Sequence, residues 1–383
     1  MLAVPGTGRS NGLDSLRALA ITLVFMYHYM VFVSREATFG WASVVGWVGV
    51  DLFFVLSGYL IANQLLAGSA QGRAPDLPRF YARRALRTLP VFWLVLAAYF
   101  LWPGELGGRT PPPLWRFLTF TQNVELPPGT AFSHAWSLCI EEQFYLVLPL
   151  VLWAGLRLGA GRRLGWGLLA ALMTLGITAR GVLWQTYGTE AGGRIDGYHP
   201  HIYYATLCRF DEFLPGVAVA MLRHFHADAW QGLMRRGQTV LAAGVAASAV
   251  MLWAVYHHYV VDGVGYGWFM TTFGYSLNAV AFAVLVAAAL SPASWLHRLR
   301  IPGALPLALW SYSIYLSHKA VGHVLHRELA PWALPSVVEV VVITLASVVV
   351  GALLYRAVEL PFLRLRDRHV PAVPPTSLAS APA

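Results

Sequence analysis

The ionisable residues of this sequence stand where charge is costly, inside long apolar runs. In LDSLRALAITLVFMYH, Arg17 and His28 are eleven positions apart. On an α-helix that spacing returns both to one face, separated along the axis by roughly 16 Å. In RFYARRALRTLP, Arg84 and Arg87 stand at i and i+3. Their guanidinium forks share a face and could take phosphate oxygens in bidentate fashion. The plainer alternative is that arginines here, Arg83 included, only hold a helix end at the membrane surface. Glu141 and Glu142 lie in SHAWSLCIEEQFYLVLPL, close to His134, Ser137 and Gln143. A pair of acids in lipid needs a proton, a partner or a wet cavity. Adjacent helical residues point about 100° apart, so one of the two faces a given cavity. Asp51, Arg209 with Asp211 and Glu212, and His318 with Lys319 recur at similar depth. Arg209 has its own plain alternative, pairing with Asp211 or another carboxylate. The set divides into two layers: arginines at one mouth, and His28, Glu141, Glu142, Asp51, Arg209, Asp211 and His318 from mid-span to the other side. Such an arrangement suits a phosphate-bearing donor in the first layer and proton transfer in the second.

The elements that must position these residues are membrane helices. Hydrophobic residues make up 57% of the 383 and charged residues only 12%, about half the charge a soluble domain carries. Apolar runs of roughly 20 residues recur along the whole chain, each long enough to cross the hydrocarbon. The pattern predicts an all-α, polytopic membrane protein with ten spans, at 13–33, 44–67, 80–102, 136–157, 164–186, 202–223, 238–259, 268–290, 304–325 and 334–357. The first is read as a retained signal-anchor. Most basic residues fall in loops on one side, against Arg35, Arg109, Arg116, Arg194 and Arg327 on the other. The positive-inside rule then puts both termini in the cytoplasm and the 103–135 loop outside. Residues 1–368 form the membrane domain in this reading, and 369–383, rich in Pro, Ala and Ser, a disordered cytoplasmic tail. The net charge of +9 reflects orientation in a multi-pass cell-membrane protein, so no nucleic-acid partner is expected. Cys139 and Cys208 both sit in apolar segments, and no two histidines show ligand spacing within one helix, so neither a disulfide framework nor a metal is implied.

Taken together, the segments quoted above, with VGVDLFFVLSGYLI, RFDEFLPG, SYSIYLSH and YRAVELPF, resemble the integral membrane acyltransferase-3 family over nearly the whole chain and in the same order. Arg17-x10-His28 and Arg84-x2-Arg87 match its two characteristic spacings, and the WSL…EEQFYL block is the most specific stretch. The resemblance implies transfer of an acyl group, commonly acetyl, from acyl-CoA to a hydroxyl of a glycan, lipid or secondary metabolite. It marks His28, Arg17, Arg84 and Arg87 as functional, with Glu142 beside them. Many relatives that modify surface polymers carry an extra esterase-like domain; none is expected here, which leaves the acceptor open.

On this reading the donor's phosphates dock on Arg84 and Arg87, with Arg17, and the pantetheine arm lies along the first helix. His28 is then the general base toward the acceptor hydroxyl, or alternatively a nucleophile that carries the acyl group. Glu142 or Asp51 would fix its tautomer, and Arg209, Ser137 or Gln143 would face the oxyanion. Glu141, Asp211 and His318 remain further substrate-side candidates. A rival of another class is a proton-coupled transporter, which would also bury His, Glu, Asp and Arg; no internal repeat favours it.

Overall fold

The computed structural model describes residues 10–69 and 72–371. Its main helices are α1 (Asn11–Tyr29), α2 (Val48–Ser69), α3 (Leu77–Leu101), α4 (Trp136–Arg157), α5 (Arg162–Tyr187), α6 (Leu214–Phe225), α7 (Gly237–His258), α8 (Tyr275–Leu290), α9 (Ala304–Leu329), α10 (Ser336–Leu354) and α11 (Leu360–His369). In lipid every backbone N–H and C=O must find its partner internally, so unbroken apolar runs fold as helices. The only strands among the described residues are a two-residue hairpin, Val260–Val261 with Gly265–Tyr266. Helix ends follow local chemistry. Asp76 caps α3 by accepting from the Arg79 N–H at 3.2 Å, with Pro78 in the first turn.

Eight helices among the described residues are long and apolar enough to cross a bilayer, and the chain is a multi-pass membrane protein. Two of the ten predicted spans depart from that pattern. The 304–325 segment is a continuous helix, α9, of ample length, but serines, His318, Lys319 and His323 make it too polar to count on composition. The 202–223 segment is not one helix. It runs as a π turn (His199–Tyr203), a short helix (Thr206–Arg209), a 3-10 turn (Phe210–Phe213) and then α6. In this broken stretch Arg209 reaches Asp51 on α2 and Asp211 reaches Arg180 on α5, while Glu212 turns back onto Arg209. At the other end, α10 passes through a π turn (Tyr355–Glu359) into α11. Helix thus reaches His369, where the predicted tail begins; its residues 372–383 lie outside the described residues.

Helices α2 and α8 form the centre of the bundle, and α5 and α10 its periphery. Backbones meet where α2 crosses the start of α6. A Cβ on Gly58 would fall on the Phe213 carbonyl, and one on Gly216 on the Val55 carbonyl. The arginine-rich loops gather at one end of the bundle. Ser10 donates to the Ala289 carbonyl at 3.0 Å, Arg162 to Phe225 at 2.9 Å, and Ser291 to Met234 at 2.6 Å. Arg83 joins this end to the last helix through Asp367 at 3.1 Å.

Candidate active site

Helix α9 carries the site like a ladder. Tyr312, Tyr315 and His318 recur every third residue, so one face presents each in turn. At the lowest rung, Tyr312 donates to the Thr88 carbonyl at 2.8 Å and Ser313 to Glu359 at 2.9 Å. Around this level lie Arg17, Arg84, Arg87, Glu141 and Glu142, all half-buried. Glu142 lies within electrostatic reach of Arg84 and Arg87, and Glu359 within reach of Arg87 and Arg17. The Arg84 guanidinium rests 3.7 Å from the Tyr145 ring centroid, and its Nε has no hydrogen-bond partner. Glu141 accepts from both Ser57 and Tyr145. The two predicted phosphate-binding arginines and Arg17 therefore lie near one another, half-buried, around Glu141 and Glu142 at the arginine-rich end.

At the middle rung Tyr315 hydrogen-bonds Ser137 at 2.7 Å and donates to the His134 carbonyl. At the top, His28 Nδ1 meets His318 Nε2 at 2.7 Å, with the rings stacked 16° from parallel. His318 Nδ1 lies 2.9 Å from the Ile314 carbonyl. A carbonyl only accepts, so this nitrogen carries the proton of a neutral His318, and its Nε2 is an acceptor. The His28 Nδ1–H must then be the donor, which leaves the His28 Nε2 lone pair available to take a proton. His134 stands 6.1 Å from His28, ring to ring, and its buried Nδ1 has no partner. The Lys319 ammonium reaches Ser133 at 3.2 Å and the Thr130 carbonyl at 3.4 Å, and lies 4.4 Å from the Phe32 ring centroid.

Asp51, Arg209 and Asp211 belong to a separate, closed network with Glu212 and Arg180. Arg209 bonds Asp51 at 2.7 Å and Tyr203 carbonyl at 3.1 Å, pairs with Glu212, and sits among Tyr275, Tyr203 and Trp136. Asn278 donates to the other Asp51 oxygen at 3.2 Å. Asp211 takes a bidentate pair from Arg180 at 2.7 and 2.9 Å and a hydroxyl from Ser276. Asp51, Arg180, Arg209, Asp211 and Glu212 are all 0% exposed. Three carboxylates share two guanidiniums here, and each buried charged group has a partner; in such a network removing one partner is what costs. Three expectations change accordingly. Neither Asp51 nor Glu142 is the hydrogen-bond partner of His28, because His318 occupies that place. Arg209 has no free N–H fork to offer an oxyanion; it pairs with carboxylates, as its plainer alternative had it, and these are Asp51 and Glu212. Gln143 is spent elsewhere, donating to the Phe120 carbonyl of the 103–135 loop at 2.7 Å and accepting from Thr206 at 2.7 Å. Ser137 reaches the histidines only through Tyr315. The sequence reading missed Tyr312, Tyr315 and Tyr145, and gave His134 no role; the three-residue spacing of Tyr312, Tyr315 and His318 was the available signal. Among the described residues no group of three or more His, Cys, Asp or Glu is arranged to hold a metal ion.

The sequence profile of an acyltransferase domain matches residues 10–356, a stretch that holds every residue named in both layers except Glu359. The chain belongs to the acyltransferase-3 family. Its relatives include a candidate peptidoglycan O-acetyltransferase of Bacillus subtilis (strain 168), 30% identical over 81% of this chain and 48% of that protein. The peptidoglycan O-acetyltransferase of Listeria monocytogenes is 29% identical over 80% of this chain and 48% of its own length. A candidate O-acetyltransferase of Staphylococcus aureus (strain MRSA252) is 26% identical over 94% and 59%. The chain thus spans about half the length of the curated relatives it matches. No solved structure matches.

Proposed function

We propose that this acyltransferase-3 protein moves a short acyl group from acyl-CoA onto a hydroxyl of a cell-envelope glycan, with His28 as general base. The observation that carries the proposal is the His28–His318 pair, whose hydrogen bonds leave a free Nε2 lone pair on His28 at the far end of α1 from Arg17. The acyl-CoA phosphates would bind at the lowest rung, where Arg84 and Arg87 offer forks and Arg17 adds charge. The pantetheine arm would run up α9 past Tyr312 and Tyr315, bringing the thioester to His28. There Nε2 takes the acceptor hydroxyl's proton as the oxygen attacks the thioester carbonyl. The imidazolium so formed donates from Nδ1 to His318, which spreads the new charge. The proton then returns to the departing CoA thiolate, so acyl group and proton exchange between the two substrates. Lys319, with three N–H donors of which two are engaged, supplies the third to the oxyanion in place of Arg209. Glu142 balances the arginines of the donor site. We place the arginine-rich end, both termini and the donor in the cytoplasm, and residues 1–368 in one membrane domain of the cell membrane. A glycan is favoured over a lipid or metabolite because two relatives bear peptidoglycan O-acetyltransferase names. The relatives named above bear O-acetyltransferase names, which favours this reading over the transporter alternative.

The test is acetyl-CoA turnover by the purified protein, with and without muropeptide fragments. Release of CoA that depends on acceptor and vanishes in His28→Gln is the expected result. Purified, folded protein that neither binds nor consumes acetyl-CoA would sink the donor assignment.

A further inference from the structure

At the arginine-rich end, residues 291–303 join α8 to α9. Ser291 ties this segment to the Met234 carbonyl and His297 ties it to the Ala289 carbonyl, at 2.6 and 2.9 Å. Its one-turn helix, Trp295–Arg298, is capped by Ser294. Against Leu241 of α7 this turn walls an open groove of about 490 Å³. The lining divides in two. Leu241, Leu296 and Leu299 are apolar, with Trp295 beside them, 73% exposed. Arg298 and Arg300 bring two positive charges, both exposed, and no carboxylate among the described residues lines the groove. Arg298 donates from Nε to the Pro292 carbonyl at 2.8 Å, which holds the guanidinium and leaves its terminal nitrogens free. Among the described residues neither guanidinium has an acidic partner.

Exposed arginines at helix ends commonly serve orientation alone, but orientation needs no groove. What sets this pair apart is its depth and its company. Leu241 lies in the second turn of α7, a spanning helix with only 22% of its apolar window buried in the bundle, so the groove opens where lipid meets water. Val245, one turn further along the same face, is exposed and carries the apolar track into the bilayer. An indole is at home at that boundary. A free anion gains nothing from the leucines, and a hydrocarbon chain gains nothing from two guanidiniums. A phosphodiester carried on acyl chains uses both.

We propose that this groove seats one anionic phospholipid of the adjoining leaflet, with its phosphodiester on Arg298 and Arg300 and one chain along Leu241 and Val245. The headgroup fills the groove and the chains stay in the bilayer. The site shares no residue with the acyl-transfer machinery. One arginine beside an anionic headgroup changes affinity about fivefold, so the pair should account for about 30-fold.

Native mass spectrometry of the purified full chain, titrated in detergent with phosphatidylglycerol or with phosphatidylcholine of matched chains, counts bound lipids and protein copies together. The wild type should retain one phosphatidylglycerol at least about tenfold more tightly than phosphatidylcholine. Arg298→Gln with Arg300→Gln should weaken phosphatidylglycerol about 30-fold. Arg157→Gln with Arg163→Gln removes the same charge from exposed arginines at the α4–α5 corner and should change it less than about threefold. If the first double variant does not fold, Arg300→Gln alone decides, with an expected loss of about fivefold. Equal retention of the two lipids, or an equal loss in the Arg157 and Arg163 control, would reduce Arg298 and Arg300 to general orienting charge and overturn the site. Displacement of the lipid by inorganic phosphate would make it a plain anion site. A lipid-free dimer lost in the Arg298 and Arg300 variant would give the groove to a second copy. Either result overturns the phospholipid as well.

Discussion

Replacing His318 tests the histidine pair more sharply than replacing His28, because His318 is assigned a supporting role of limited size. His318→Phe keeps a ring stacked on His28, where the centroids are 4.9 Å apart, and deletes the acceptor at 2.7 Å together with the Nδ1–H that His318 gives to the Ile314 carbonyl of its own helix. The lost acceptor takes a hydrogen bond from a charged donor, since His28 is an imidazolium when it matters. Such bonds contribute about 1.5–3 kcal/mol, and about 1.4 kcal/mol is tenfold in rate. The expected loss is therefore about 10–150-fold. Removing the base itself, in His28→Gln, costs about 10²–10⁴-fold. The double variant should be no slower than His28→Gln alone, because His318 acts only through His28. The assay is the initial rate of CoA release from acetyl-CoA, with acetyl-CoA affinity measured separately and expected to stay unchanged. A His318→Phe enzyme within about twofold of wild type, or a double variant slower than His28→Gln by a further tenfold, would refute the pairing.

Changing Arg84 and Arg87 together to Gln should weaken acyl-CoA binding strongly with insertion retained, and Lys at both should restore it only in part because the fork is gone; unchanged affinity by calorimetry would reduce them to topology. Asp51→Ala takes one of two carboxylates from the fully buried Arg209 and leaves the Asn278 N–H without its acceptor, which should cost about 1–3 kcal/mol; a variant with unaltered thermal unfolding but no activity would return Asp51 to the catalytic set. Lys319→Met should cut turnover without changing acetyl-CoA affinity, as an oxyanion donor typically contributes about 2.7–4 kcal/mol; full activity would assign Lys319 to holding Thr130 and Ser133. Reporter fusions after Arg73 and after Thr110 should report opposite compartments, and agreement between them would break the orientation.

What could be read from sequence was whatever one helix carries by itself. Arg17 with His28, and Arg84 with Arg87, are intervals along single helices, so periodicity alone sets their shared faces. The partner of His28 lies 290 positions away, and no local pattern connects the two; expecting a carboxylate there followed the commoner chemistry of buried histidines. The same distance in sequence hid the division between open and closed charge. Asp51 and Arg209 looked like catalytic candidates because burial of charge marks both functional sites and structural pairs. Only the 2.7 Å contact across 158 positions separates the two cases. Hydropathy averages over a window, so the broken 202–223 segment passed for one helix. α9 was found because its length survived, although the polar residues that dilute its hydropathy are those that build the site.

The close approach of Gly58 to Phe213 and of Gly216 to Val55 has a consequence for how variation in this chain should be interpreted. Any side chain at either position must push α2 and α6 apart by the width of a methyl group. Asp51 sits two turns before Gly58 on α2, and Arg209 lies in the segment that leads into α6, so the wedge would open the ion pair between them. In a saturation-mutagenesis survey both glycines should therefore score as intolerant as His28, although neither is near a reacting atom. Intolerance that persists when acyl-CoA binding and folding are measured separately would mark chemistry, and intolerance that tracks folding alone would mark this seam.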